Sequence, residues 1–172
     1  MYIKIREIKG NDAEAFYHLR LEALRSEPEA FAETPVEFSK KSTGDIKKQI
    51  TSWKQLGAFA FGAFDSENKL TGMAGVYRYP RTKTRHRCKV WGVFVTKNAR
   101  GLGISRQILN EVIQKAKKSK SIIQLELEVG VDNSAAVQLY KSLGFEVCGV
   151  QPRALKVGTE YIDEHLMVLK LK

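Results

Sequence analysis

The stretch Val93-Phe94-Val95-Thr96-Lys97-Asn98-Ala99-Arg100-Gly101-Leu102-Gly103-Ile104 decides how this chain is read. It opens as an apolar strand, passes through a basic turn containing glycine, and enters a helix. Gly101 and Gly103 carry no side chain, so main chain can approach a ligand closely there. The first N–H groups of a helix lack intrahelical partners, and the helix dipole favours an anion at that end. Arg100 adds positive charge at the rim. The turn suits a pyrophosphate-sized guest, although a helix entry with no ligand can show the same local pattern. Position 106 is arginine, so the GxGxxG dinucleotide pattern is not met, and no GxxxxGK[ST] loop exists.

Downstream, Ile104, Ile108, Val112 and Ala116 recur on one face of a long helix, with Leu109 and Ile113 flanking them. Ile122 to Val129 reads as the next strand. Then comes Asn133-Ser134-Ala135-Ala136-Val137-Gln138-Leu139-Tyr140-Lys141-Ser142-Leu143-Gly144-Phe145. Its apolar spacing predicts a helix from about Ser134 to Leu143, stopped by Gly144. Asn133 and Tyr140, seven residues apart, return to nearly the same azimuth, about 10 Å apart along the axis. On its own, Asn133 fits a helix cap, and Tyr140 fits an aromatic at the core's edge.

Upstream, residues 2 to 8 alternate as a strand, and Asn11-Asp12 cap a helix reaching about Arg25. Phe31 to Lys41 has little periodicity and reads as loop or a short turn. A helix follows from about Thr43 to Gln55. Ala58 to Phe64 and Leu70 to Tyr79 form a hairpin, and Arg87 to Val95 is a central strand. Val147 to Val150 and Tyr161 to Leu171 are the last strands, joined through Pro152 and Gly158. The order is β-α-α-β-β-β-α-β-α-β-β. It predicts an α/β fold with a mixed, twisted sheet layered between helices, and one domain over residues 1–172.

The 172 residues suit one domain, and 43% apolar content supplies an ordinary core. No apolar run approaches the roughly 20 residues of a membrane span. The N-terminus lacks the apolar block of a signal peptide. Cys88 and Cys148 form neither a disulfide framework nor a zinc pattern, and both read as buried, reduced side chains. His18, His86 and His165 are scattered, so no metal site is expected. A cytoplasmic protein is the expectation. The net charge of +10 favours anionic partners. Nucleic acid is one, but no recognised nucleic-acid motif accompanies the charge; a polyphosphate cofactor is another. The basic run from Arg78 to Lys89 reads as a strand connection near a substrate mouth.

Asn98-Ala99-Arg100-Gly101-Leu102-Gly103 resembles the cofactor loop of the GCN5-related N-acetyltransferase (GNAT) family, with Asn98 in place of that pattern's Gln or Arg. Asn-x-x-Ala-x-x-Leu-Tyr-x-x-x-Gly-Phe, from Asn133 to Phe145, resembles the family's second cofactor motif. The resemblance covers about residues 70 to 150. It implies a GNAT-like acyl-CoA N-acyltransferase fold with acetyl-CoA as cosubstrate. Under it, Arg100, Gly101, Leu102, Gly103, Ile104 and Ser105 would bind the pyrophosphate. The main chain of Phe94 and Val95 would pair with the pantetheine arm as an added strand would. Asn133 would orient the cofactor, and Tyr140 would protonate the leaving thiolate, as a phenol with a pKa of about 10 is able to do.

The reaction so implied is direct acetyl transfer to a primary amine of a small molecule or peptide in a ternary complex. Main-chain N–H groups near Val93 to Val95 would stabilise the oxyanion. Glu33, Glu126 and Glu164 are candidates for relaying the amine's proton. Phe31, Tyr77, Trp91 and Tyr161 are candidates to line the acceptor site, which would draw on the first two helices, the 77–87 connection and the last hairpin. A monomer or homodimer, with no nucleic acid and no membrane, completes the expectation. The alternative is a non-catalytic acyl-CoA-binding regulatory module.

Overall fold

A computed structural model describes residues 2–172. Seven strands form one sheet in the order β1-β2-β3-β4-β5-β7-β6. They are β1 (Lys4–Glu7), β2 (Phe59–Phe64), β3 (Leu70–Arg78), β4 (Arg87–Val95), β5 (Gln124–Gly130), β6 (Glu146–Val157) and β7 (Glu160–Lys170). Neighbours are antiparallel except β4 and β5, which run parallel. Five helices cover the faces: α1 (Ala13–Ser26), α2 (Pro35–Ser39), α3 (Thr43–Leu56), α4 (Ile104–Lys118) and α5 (Ser134–Ser142).

Alternation along the central strands divides the core in two. On one face, Cys88 and Val90 of β4 and Leu125, Leu127 and Val129 of β5 pack with Ile108, Leu109 and Val112 of α4 and with Val137 and Tyr140 of α5. Each such aliphatic side chain contributes about 1.5–3 kcal/mol by leaving water. On the other face, Phe16, Leu19, Ala23 and Leu24 of α1 join Ile46, Ile50 and Trp53 of α3, with Met73 and Phe94 from the sheet. The layered α/β arrangement is thus the one expected from the element order.

Four local readings need correction. Asp12 does not cap α1 with its side chain. Its carboxylate instead accepts two hydrogen bonds from Arg6, both at 2.8 Å, and one from the Lys9 N–H at 2.8 Å. It thereby ties β1 to the helix start. The aperiodic 31–41 stretch contains α2, which a reciprocal Thr34–Glu37 capping box and Pro35 at its first position begin. Strand β6 does not end at Val150. It runs through Pro152 to Val157 as an edge strand, and its ladder to β7 is interrupted between Gln151 and Leu155, where proline is tolerated. Cys148 lies exposed on that edge, whereas Cys88 is fully buried.

Candidate functional site

Strands β4 and β5 pair over three positions only: Arg87 with Gln124, Cys88 with Leu125, and Lys89 with Glu126. Beyond Lys89 they part. The edge of β4 from Val90 to Val95 is paired to β3 on one side and to no strand on the other. Cross-strand ion pairs brace the closed end of this wedge, Arg87 with Glu126 and Lys89 with Glu128. The basic connection between β3 and β4 lies at that closed end. It therefore does not border the mouth, contrary to expectation.

Within the open stretch β4 carries an extra residue. Its ladder to β3 slips between Met73 and Gly75, and Gly92 takes φ +66°. A bulge of this kind turns main chain out of the regular ladder. A glycine inside an otherwise apolar strand is the sequence signal for it, and it passed unread.

At the end of β4 the chain makes one 3₁₀ turn, Lys97–Ala99, and enters α4 through the glycine loop. Gly101 and Gly103 have φ +79° and +70°, conformations costly for residues with a side chain. The main-chain N–H groups of Gly101, Leu102, Gly103, Ile104, Ser105 and Arg106 form no hydrogen bond with any described residue. The first bond of the helix is that from Gln107 to the Gly103 carbonyl, at 3.1 Å. Among the described residues, nothing lies within 4 Å of the space a Cβ would take at either glycine. Six successive free donors at a helix N-terminus can form a cradle for an anion.

Arg100 does more than add charge at the rim. Its Nε donates to the Val95 carbonyl at 3.1 Å, and its Nη2 donates to Glu27 Oε1 at 2.7 Å. The acceptor that a pantetheine amide was expected to use is therefore held by Arg100 in this state. Asn133 caps α5, its Oδ1 accepting from the Ala136 N–H at 3.2 Å. Tyr140 is buried against Phe145, ring centroids 5.9 Å apart in a T-shape. Burial raises its phenol above the ordinary value, so it stays protonated at neutral pH. Val95 and Tyr140 belong to the same core on the α4–α5 face.

The three acidic candidates separate. Glu33 is held by Arg20 at 3.3 Å and Lys41 at 2.6 Å. Glu126 is held by Arg87, and Tyr79 donates to it at 3.2 Å. Glu164, on β7 opposite Gly130 at the open end of β5, has no ion pair among the described residues and is buried. That burial, with Glu128 nearby, raises its carboxyl above the usual range, while Lys89 opposes the shift. Of the aromatic candidates, Phe31 and Trp91 come together around Arg20 on the α1 face, with its guanidinium 4.6 Å and 6.0 Å from their ring centroids. Tyr161 lies exposed beside Arg153 and Lys156, and Tyr77 packs on Tyr79. Gly75 permits the Trp91 placement, since a Cβ there would fall 2.3 Å from the indole. Arg20 was also missed; its sequence signal is a charge among Phe16, Leu19, Ala23 and Leu24 on an apolar helix face.

A mixed seven-stranded sheet, parted between two parallel strands with a glycine loop and helix N-terminus at the parting, defines the acyl-CoA N-acyltransferase fold. The chain belongs to the acetyltransferase (GNAT) family, whose model matches residues 14–145. An acetyltransferase of the GNAT family from Streptococcus pneumoniae superposes with a TM-score of 0.89 at 22% identity, over 99% of this chain and 100% of that one. The Salmonella typhimurium protein yncA, solved with its cofactor acetyl-CoA, gives 0.86 at 20% identity over 100% and 95%. Among curated relatives, the N-alpha-acetyltransferase RimI of Mycobacterium tuberculosis is 35% identical over 93 residues, 54% of this chain and 56% of that protein. The L-amino acid N-acetyltransferase AaaT of Escherichia coli is 29% identical over 77 residues, 45% and 48% respectively. These matches span about half of each of those two relatives.

Proposed function

We propose that this protein is an acetyl-CoA-dependent N-acetyltransferase that passes the acetyl group directly to a primary amine. The observation that carries the reading is the juxtaposition of six free amides, Gly101 to Arg106, with the unpaired edge of β4. A diphosphate meets the first, and an amide-bearing arm meets the second as an added strand would. The donor set fits acetyl-CoA: main-chain N–H for the pyrophosphate, main chain of Phe94 and Val95 for pantetheine, and Asn133 near the arm. When the arm docks, Arg100 releases the Val95 carbonyl and turns toward the phosphates.

In this reading the amine nitrogen attacks the thioester carbonyl, and the C–S bond breaks as the tetrahedral intermediate collapses. Main-chain N–H at the β4 bulge stabilises the oxyanion. The Tyr140 hydroxyl gives its proton to the departing thiolate and is later reprotonated by solvent. Glu164 accepts the amine's proton through water. A carboxyl raised toward neutrality is a better base at pH 7 than an ordinary one. Titration of acetyl-CoA by calorimetry, followed by an amine panel monitored for free CoA, tests the proposal. Saturable binding and amine-dependent CoA release are expected; failure to bind acetyl-CoA ends it. Binding with no release for any amine would leave the regulatory-module alternative in its place.

A further inference from the structure

Arg20 holds an unfinished contact on the α1 face of the wedge. Its side chain is 9% exposed. Its Nη2 donates to Glu33, whose second oxygen takes Lys41. Its Nη1 is buried and has no hydrogen-bond partner among the described residues. That nitrogen lies beside the β4 bulge, 3.8 Å from where a methyl on Gly92 would stand.

A buried guanidinium is costly unless its donors are used. Arg20, Lys41 and Glu33 sum to a charge of +1, so Glu33 does not neutralise the group. The other charges on this side are already matched or acidic: Lys89 pairs with Glu128, and Glu164 lies beyond them. Packing alone would be served by a long apolar side chain, without desolvating a cation. The cluster lacks one anion, and the bare nitrogen is the one nearest the bulge.

We propose that Arg20 Nη1 receives a carboxylate of the acceptor, so that the amine acetylated here carries a carboxylate on a neighbouring carbon, as amino acids do. The inference rests on the N-acetyltransferase reading above. A carboxylate held beside the bulge leaves an amine one carbon away facing the edge of β4 where the thioester carbonyl would lie. Phe31 and Trp91 wall the guanidinium and offer the acceptor's side chain an apolar surface. Phe31 sits in the short connection between the 3₁₀ turn Pro28–Ala30 and α2, outside both.

The test compares amino acids with their own carboxamides as acceptors at saturating acetyl-CoA, measuring kcat and KM by CoA release. The wild-type protein should favour acids over amides by roughly 10²-fold in kcat/KM, the scale of losing one partner of a buried charged pair. Arg20→Gln should abolish that preference through KM for the acids, raise KM for the amides far less, and keep acetyl-CoA affinity. Arg20→Lys should restore part of it. Arg20→Met, close in volume, replaces Arg20→Gln if that variant does not fold. The inference is overturned if wild-type protein treats acids and amides alike, or turns over no acid in the panel. An equal loss toward both by Arg20→Gln also overturns it, since a strut beneath the bulge would behave so. Failure of acetyl-CoA to bind the wild type would instead sink the reading on which it rests.

Discussion

The two faces of the β4–β5 wedge are built from different material. On the α4–α5 face the candidate contacts are mostly main chain: the Gly101–Arg106 amides and the open edge of β4. They come from one continuous stretch of chain. On the α1 face they are side chains gathered from separate elements: Arg20 from α1, Glu33 and Phe31 from the connection to α2, Trp91 from β4 and Glu164 from β7. A site made of N–H groups tolerates almost any sequence that keeps its backbone. A site made of side chains changes with each substitution, so under the proposed function it is where one acceptor would be told from another.

The comparison breaks first where the backbone is altered. Gly103→Val puts a β-branched residue at φ +70° in open space, so packing survives while the loop cannot hold its shape. Acetyl-CoA affinity should fall roughly 10²-fold or more, with loss of several amide contacts at about 1.5–3 kcal/mol each for bonds to a charged group. Calorimetry reads this directly, and an unchanged Kd would show that the cradle is not the phosphate site. Next is Tyr140→Phe, which removes a proton donor and leaves the ring. The expected result is a kcat lower by roughly 10²-fold, the low end for a general acid, with acetyl-CoA affinity held. A kcat that does not move would pass the proton to water.

Glu164→Gln tests the side-chain face with a smaller effect. Its raised carboxyl means the folded chain binds that proton more tightly than the unfolded chain does. The stability this supplies is fully present below the ordinary carboxylate pKa and is lost as pH rises through the raised value. The substitution should therefore raise Tm at about pH 7 and change it little at about pH 4, on a scale of roughly 2–4 °C per kcal/mol. It should also slow turnover and remove the acidic limb of the kcat/KM profile. A limb that persists assigns the base elsewhere. Arg100→Ala should do least to stability. Its pair with Glu27 is half exposed and contributes about 0–1 kcal/mol. A scanning-calorimetry shift much above 2 °C would mean that the Val95 contact, and not the ion pair, holds the loop.

The same contrast explains what could be read from the letters alone. The glycine turn, the helix after it, and the Asn133 to Phe145 helix are local patterns, so most of the element order, the layering and the place of the glycine loop at a helix start were legible. Even there, Asn133 serves its cap and Arg100 reaches back to Val95, because side-chain partners depend on distant chain. The parting of β4 from β5 was not legible, since pairing register belongs to neither strand alone. Gly92 could have announced the bulge, and a lone arginine among apolar helix positions could have announced Arg20. Nothing local could bring Arg20 within reach of Gly92, seventy-odd positions later. Pro152 misled because proline was read as an end of strand, although an outer strand has no neighbour to satisfy on one side.

Only three residue pairs stitch β4 to β5. The two halves of the sheet meet like pages at a spine, with Arg87–Glu126 and Lys89–Glu128 as the stitches beside it. A cleft made by leaving strands unstitched needs no hole in a close-packed interior. Under the proposed function, a long, thin guest would slide between the pages, lay its own amides where a strand would have been, and close the sheet with itself.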